Sequence, residues 1–220
     1  MNARSRIQAF RASPLFQALL LGVFALVTAA LLSMGNQTTR GEIEKRRQED
    51  LMASLVQVIP HEMHDNDLLA DTLSLAGPDG APVTIYRARK GGAIVAAAYL
   101  VTGHGYGGDI SLIMGVDLSG KLLGVRVISH FETPGLGDKI EEKKSGWIFG
   151  FAGLSLSSPP AEEWKVKKDG GHFDQFSGAT ITPRGVVAAV RKGLEFFASQ
   201  HDAISGEAAK VAVRPAEAGQ

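Results

Sequence analysis

From Leu15 to Met34 (LFQALLLGVFALVTAALLSM) the chain carries no charge and shows no polar stripe. At helical rise, a run of that length spans the roughly 30 Å hydrocarbon core of a bilayer. A helix in a soluble core rarely stays apolar on every side for so long, so this stretch predicts a transmembrane helix. A cleaved signal peptide is the rival reading, with Val27-Thr28-Ala29 as a weak cleavage site. The apolar run exceeds an ordinary signal core of about 7–15 residues, which favours an uncleaved signal anchor.

Beyond the anchor the pattern changes. Ile43, Leu51, Leu55 and Val58 recur at approximately helical spacing among charges, which reads as a juxtamembrane helix or equally as a solvated stalk, ended by Pro60. Residues 83–89 alternate, and 93–101 are almost continuously apolar after a Gly91-Gly92 turn. Residues 111–117 and 121–129 add two more strand-like runs joined at Leu118-Ser119-Gly120. Residues 138–149, with Trp147, read as a short helix and turn. The clearest helix is 183–200, with Thr182 as N-cap, Pro183 at the first helical position, and Val186, Val187, Val190, Leu194 and Phe197 on one stripe. Antiparallel strands followed by a packed C-terminal helix predict an α+β domain behind a single N-terminal transmembrane helix. The expected boundaries are a basic N-terminus at 1–14, the anchor at 15–34, the stalk at 35–60, the domain at 61–204 and a flexible tail at 205–220.

Composition narrows the chemistry. The 220 residues contain no Cys, which excludes thiolate metal sites, Cys-ligated clusters and a Cys nucleophile. Net charge is zero, yet Arg4, Arg6, Arg11 and Arg40 are the charged residues of the first 40, so the body is mildly acidic. That balance argues against a nucleic-acid partner. Basic residues flank both ends of the anchor; the N-terminal cluster, free of acids, predicts a cytoplasmic N-terminus and a body on the far side. His61 and His64, near Asp65 and Asp67, are a weak metal signal and read as an exposed loop.

The 26 glycines concentrate in three informative segments. Gly103, Gly105 and Gly108 of GHGYGGDI match a dinucleotide-binding spacing, but a strand-like run follows where that motif needs a helix. The glycines would instead let backbone approach a flat ligand, with Tyr106 placed to lie against a ring. In SHFETPGLGDK, a tight turn presents Glu132, Thr133 and Leu136. In DQFSGATITPRG, Thr180 lies just upstream of a helix start, where free N–H groups and the helix dipole stabilise a phosphate. Arg184 in the first turn suits an anion; an ordinary cap region is the alternative reading. No nucleophile elbow, Walker A or H-E-x-x-H occurs, and His104, His130 and His172 read as loop histidines. Neither catalytic residues nor a metal site are expected.

Taken together, the anchor, the GYGG loop, the ETPGLG turn and SGAT before a helix resemble the FMN-binding domain family. The layout is most similar to the RnfG family, the G subunits of Rnf (Rsx) electron transport complexes. The NqrC family, from sodium-translocating NADH:quinone reductases, is a sister family. The resemblance implies FMN joined to the Thr180 hydroxyl by a phosphoester, installed by a flavin transferase that uses FAD and releases AMP. Asp174, Ser177, Gly178, Ala179 and Thr180 match the family's Asp-x-x-Ser/Thr-Gly-Ala-Thr pattern. Tyr106, Gly107, Glu132, Thr133, Leu136 and Gly137 match positions that approach the flavin ring. It further implies an electron-carrier subunit on the periplasmic side of a bacterial inner membrane, with the other complex subunits, the transferase and the lipid bilayer as partners. Two alternatives stay open: a module that binds flavin or another planar ligand noncovalently, and an anchored assembly protein without cofactor.

Overall fold

The computed structural model describes residues 14–206; the expected basic N-terminus and most of the expected tail lie outside the described residues. The chain divides into two compact units between Asp50 and Leu51. Anchor and stalk are one uninterrupted helix, α1 (Pro14–Val58). It is long and apolar enough to cross a membrane, and its most apolar stretch has no buried residue.

In the second unit, β1 (Thr72–Ala76), β2 (Pro82–Lys90), β3 (Ala93–His104), β4 (Asp109–Asp117) and β5 (Leu122–Ser129) form an antiparallel meander in sequential order. A long C-terminal helix, α2 (Ile181–Ser205), packs on one face. The other face is covered by the end of α1 and the residue that follows it, where Leu55, Val58 and Ile59 meet Ala88, Ala96, Ala98 and Ile113. Burial on both faces explains why β3 reads as a continuous apolar run instead of alternating: Ala96 and Ala98 face α1, and Ala97 and Tyr99 face α2. Gly115 is needed where α1 ends, since a Cβ there would run into the Val58 carbonyl. At the opposite face the buried Tyr99 hydroxyl donates to the Gly193 carbonyl at 2.8 Å.

Three expectations shift. β1 is an additional, five-residue strand whose Leu73 and Leu75 supply too short an alternation to stand out. The helix expected at 138–149 is two short 3₁₀ turns, Gly137–Ile140 and Trp147–Phe151, separated by residues including Gly146. This irregular excursion carries its own packing: Phe151 stacks on Phe173 with centroids 4.8 Å apart, and Trp147 meets Phe176 edge-on at 5.3 Å. The third shift is that α2 begins at Ile181, so Thr182 lies inside the helix and Thr180 holds the cap position.

One ion cluster ties the residue before β1 to β2. Asp71 accepts from Arg87 Nε at 2.9 Å, from a second Arg87 nitrogen at 2.5 Å, and from Arg89. Partial burial pushes the Asp71 carboxyl up, but the hydrogen bonds and charges of Arg89 and Arg87 outweigh it and hold it below its ordinary 3.8. A folded value below the unfolded one stabilises the fold above that ordinary value, and the contribution disappears as pH falls through the folded value. Urea midpoints for wild type and Asp71→Asn are therefore expected to differ at neutral pH and to converge in acid as the folded carboxyl protonates.

Candidate flavin site

The site forms where the β3–β4 loop, the turn after β5 and the first turn of α2 meet. Two glycines set the approach of helix and strand. A Cβ at Gly103 would lie 2.6 Å from the Gly185 carbonyl oxygen, and one at Gly185 would collide with the His104 carbonyl. Backbone therefore touches backbone, and the start of α2 sits beside the loop that β3 feeds.

Glu132 occupies the junction. Only 6% of it is exposed, and both carboxylate oxygens are engaged: Oε1 accepts from the Gly107 N–H at 2.8 Å, and Oε2 accepts a short hydrogen bond from the Thr182 hydroxyl. Its own N–H donates to His130 Nδ1 at 3.0 Å. That bond requires an unprotonated Nδ1, so the neutral ring carries its proton on Nε2, which lies 2.8 Å from Glu141. Side chains are excluded around Glu132. A Cβ at Gly137 would lie 2.7 Å from its Oε2 and 2.8 Å from the Thr182 hydroxyl, and one at Gly105 would strike Oε1. Gly107 packs against the Phe131 carbonyl in the same way.

The ETPGLG segment closes on itself, with the Leu136 and Gly137 N–H groups both donating to the Thr133 carbonyl at 3.1 Å. Gly135 makes this possible at φ +79°. The Gly135 N–H holds the buried Asp138 carboxyl below its ordinary value, against the upward push of desolvation and with help from Lys144. Leu136 extends toward the SGAT segment, where its Cδ2 is 3.5 Å from the place a Gly178 Cβ would occupy. Gly178 has φ +81°.

Between buried Phe176 and buried Thr182 the chain surfaces: Ser177 and Gly178 are exposed, and Ala179 and Thr180 are half-buried. Thr180 occupies the N-cap position with helical backbone angles and makes no side-chain capping bond. Its hydroxyl is therefore uncommitted at a helix end whose first N–H groups have no helical acceptors. Asp174 is exposed, 2.6 Å from Lys167 Nζ, while its carbonyl accepts from Trp147 Nε1 at 2.8 Å.

The structure thus joins Glu132, Gly107 and Gly137 directly, and sets Leu136 against Gly178. Tyr106 and Thr133 are exposed on the same two segments, Tyr106 by 77%, and Phe131 is as exposed. Arg184 is not free for an anion: its guanidinium is bidentate on Asp169 at 2.5 and 2.6 Å, which raises the arginine and lowers the aspartate. Thr182 and His130 are the residues that sequence reasoning missed. Thr182 lies four residues before Val186 on the apolar stripe of α2, and a hydroxyl at such a position was the available signal for a buried polar contact.

This arrangement fits a flat, phosphate-bearing ligand: an uncommitted hydroxyl at a helix start, a loop whose Gly105 and Gly107 admit no side chain, and exposed Tyr106, Phe131, Leu136 and Ile181. The FMN-binding domain family matches residues 105–195, which contain the GYGG loop, the ETPGLG turn and SGAT. The RnfG N-terminal region matches residues 15–58, essentially α1. The G subunit of the ion-translocating oxidoreductase complex of Cereibacter sphaeroides is 54% identical over 188 residues, covering 86% of each chain. The chain belongs to the RnfG family of ion-translocating oxidoreductase complex subunits. The family member from Stutzerimonas stutzeri is 45% identical, covering 91% of this chain and 88% of its own. Among solved structures, NqrC of Shewanella oneidensis aligns with a TM-score of 0.46 at 22% identity, covering 69% of this chain and 73% of that one. The match to the RnfG N-terminal region coincides with α1, and the match to the FMN-binding domain runs from the glycine loop into α2.

Proposed function

We propose that this chain is the electron-carrier subunit of a membrane-bound, ion-translocating redox complex and bears FMN as a phosphoester on Thr180. The observation that carries the reading is the Thr180 hydroxyl, half-buried at the start of α2 without a capping partner. Attachment replaces the pyrophosphate bond of FAD: Thr180 Oγ bonds to the phosphorus on the flavin side, AMP leaves, and the hydroxyl proton is released. The exposed Asp174 and Ser177-Gly178 leave the attachment segment open to a flavin transferase. The bound flavin would supply electron transfer, while Gly107, Gly137, Tyr106, Thr133 and Leu136 supply its bed. Helix dipole and first-turn N–H groups favour the phosphate charge.

The same reading makes 15–34 the membrane span and 61–204 the flavin domain. The acid-free Arg4, Arg6 and Arg11 support an N-terminus in the cytoplasm of a bacterial inner membrane and a domain on the periplasmic side. The other subunits of the complex are its partners, in keeping with the relatives' names. A covalent link suits that location, because occupancy no longer depends on free flavin.

The test is a denaturing gel of the full chain co-produced with a transferase and viewed under ultraviolet light. A fluorescent band is expected; a dark band refutes the attachment. Thr180→Ser keeps the hydroxyl but removes the methyl that restricts χ1. Its expected flavinylation is slower and incomplete, read as band intensity against time; full modification at the wild-type rate would show that rotamer restriction is irrelevant.

A further inference from the structure

The attachment segment and the flavin bed are separate pieces of chain, and a single side chain spaces them. We infer that Glu132 is the positioning residue of the flavin site: it holds the glycine loop, the ETPGLG turn and the start of α2 in register, without touching the flavin itself. The inference rests on the proposed attachment at Thr180 and concerns what holds the ring once it is attached.

Glu132 is buried and has spent both oxygens on protein donors, Gly107 N–H from the loop and the Thr182 hydroxyl from the helix. A carboxylate in that state has little left to offer a ligand and much to lose if a partner is withdrawn. Its partners explain its leverage. Gly107 belongs to the loop expected to face the ring, and Thr182 follows the attachment residue by two positions on the same helical turn. Gly105, Gly107 and Gly137 are bare because any side chain there would strike Glu132, Thr182 or Phe131. The gap between loop and helix is therefore as wide as one carboxylate and its two hydrogen bonds. Behind it, the His130–Glu141 pair fixes the backbone of Glu132 through its N–H. Asp174, Ser177 and Gly178, exposed residues of the attachment segment, make no hydrogen bond to Glu132, so attachment and positioning are separable.

The experiment compares the detergent-solubilised full chain, co-produced with a flavin transferase, as wild type, Glu132→Ala and Glu132→Gln. All three are expected to give fluorescent denatured bands of similar intensity. In the native state, Glu132→Ala is expected to shorten the dominant decay of flavin fluorescence anisotropy about tenfold, from whole-particle tumbling toward the picosecond-to-nanosecond motion of an exposed side group. Glu132→Gln is expected to stay near wild type. Its carbonyl still accepts from Gly107, and the Thr182 hydroxyl can rotate to accept from the new amide. A merely stabilising role would lower the melting temperature and leave the anisotropy decay alone. An unchanged decay in Glu132→Ala, with its band present, overturns the inference while leaving the attachment intact. A dark wild-type band overturns both. Should Glu132→Ala fail to fold, Thr182→Val removes one of the two bonds and is expected to shorten the decay; an unchanged decay there is equally fatal. A flavin-free readout is the Gly107 amide in the Thr180→Ala background, whose hydrogen exchange is expected to accelerate about tenfold when Glu132→Ala is added.

Discussion

Thr180→Ala is expected to abolish covalent flavin, with no fluorescent band and a colourless purified protein, while the fold survives. Three observations set that expectation. The Thr180 hydroxyl makes no capping bond, so removing it forfeits none of the stabilisation that an N-cap threonine ordinarily provides, about 1 kcal/mol. Alanine also suits the helical backbone angles found there. The neighbouring Ser177 lies in an exposed loop before the helix begins, where no first-turn N–H groups gather on its oxygen. The far-ultraviolet circular dichroism spectrum should match wild type, and the free energy of urea unfolding should agree within about 0.5 kcal/mol. Flavin that remains bound through native purification but is released on denaturation would identify the noncovalent module as the right description. A loss of fold would mean that the hydroxyl has a structural partner.

Gly185→Val is expected to destabilise the fold through a backbone collision beside the site. In α2, valine should help slightly by propensity, since glycine is worse in a helix interior by up to about 1 kcal/mol. Packing opposes it more strongly. The new Cβ would meet the His104 carbonyl, a backbone atom of β3 that cannot rotate aside, and Gly103 faces back across the same contact. Overpacking of this kind costs about 1–3 kcal/mol, occasionally more, so a net loss of about 1–2 kcal/mol in the free energy of urea unfolding is expected. The displacement also moves the start of α2 away from the glycine loop, so the flavin spectrum should change in a variant that is still flavinylated. Gly150→Ala is the control. Gly150 has no heavy atom within 4 Å of a Cβ position, and its change should stay within about 0.5 kcal/mol. Equal stability of both variants would show that helix and strand do not depend on the Gly103–Gly185 contact.

Both residues lie in segments that the chain advertises. SGAT before a proline-started helix stands out because glycine, a hydroxyl and a helix stop-start signal coincide, and the structure puts Thr180 at that helix end. β2 through β5 were visible because their apolar runs are long and separated by glycine turns. β1 was not, because five residues with two leucines give no distinguishable period. Residues 138–176 were opaque for a different reason. Their order comes from Trp147, Phe151, Trp164, Phe173 and Phe176 packing on one another across the excursion, and such contacts leave no local periodicity to read. Thr182 shows the limit most clearly. Its sequence context is that of a cap, and only the tertiary approach of Glu132, fifty residues earlier, turns it inward. Arg184 is similar: anion affinity was a fair reading of its position, and Asp169 has taken up that charge.

The most direct measurement is the intact mass of the full chain purified from a membrane that contains an active flavin transferase, followed by fragmentation of the peptide spanning Asp174 to Arg184. The expected mass exceeds that of the amino acids by one FMN less one water, with the increment on Thr180. A mass equal to the amino acids alone, or the increment on another residue, would contradict attachment at Thr180.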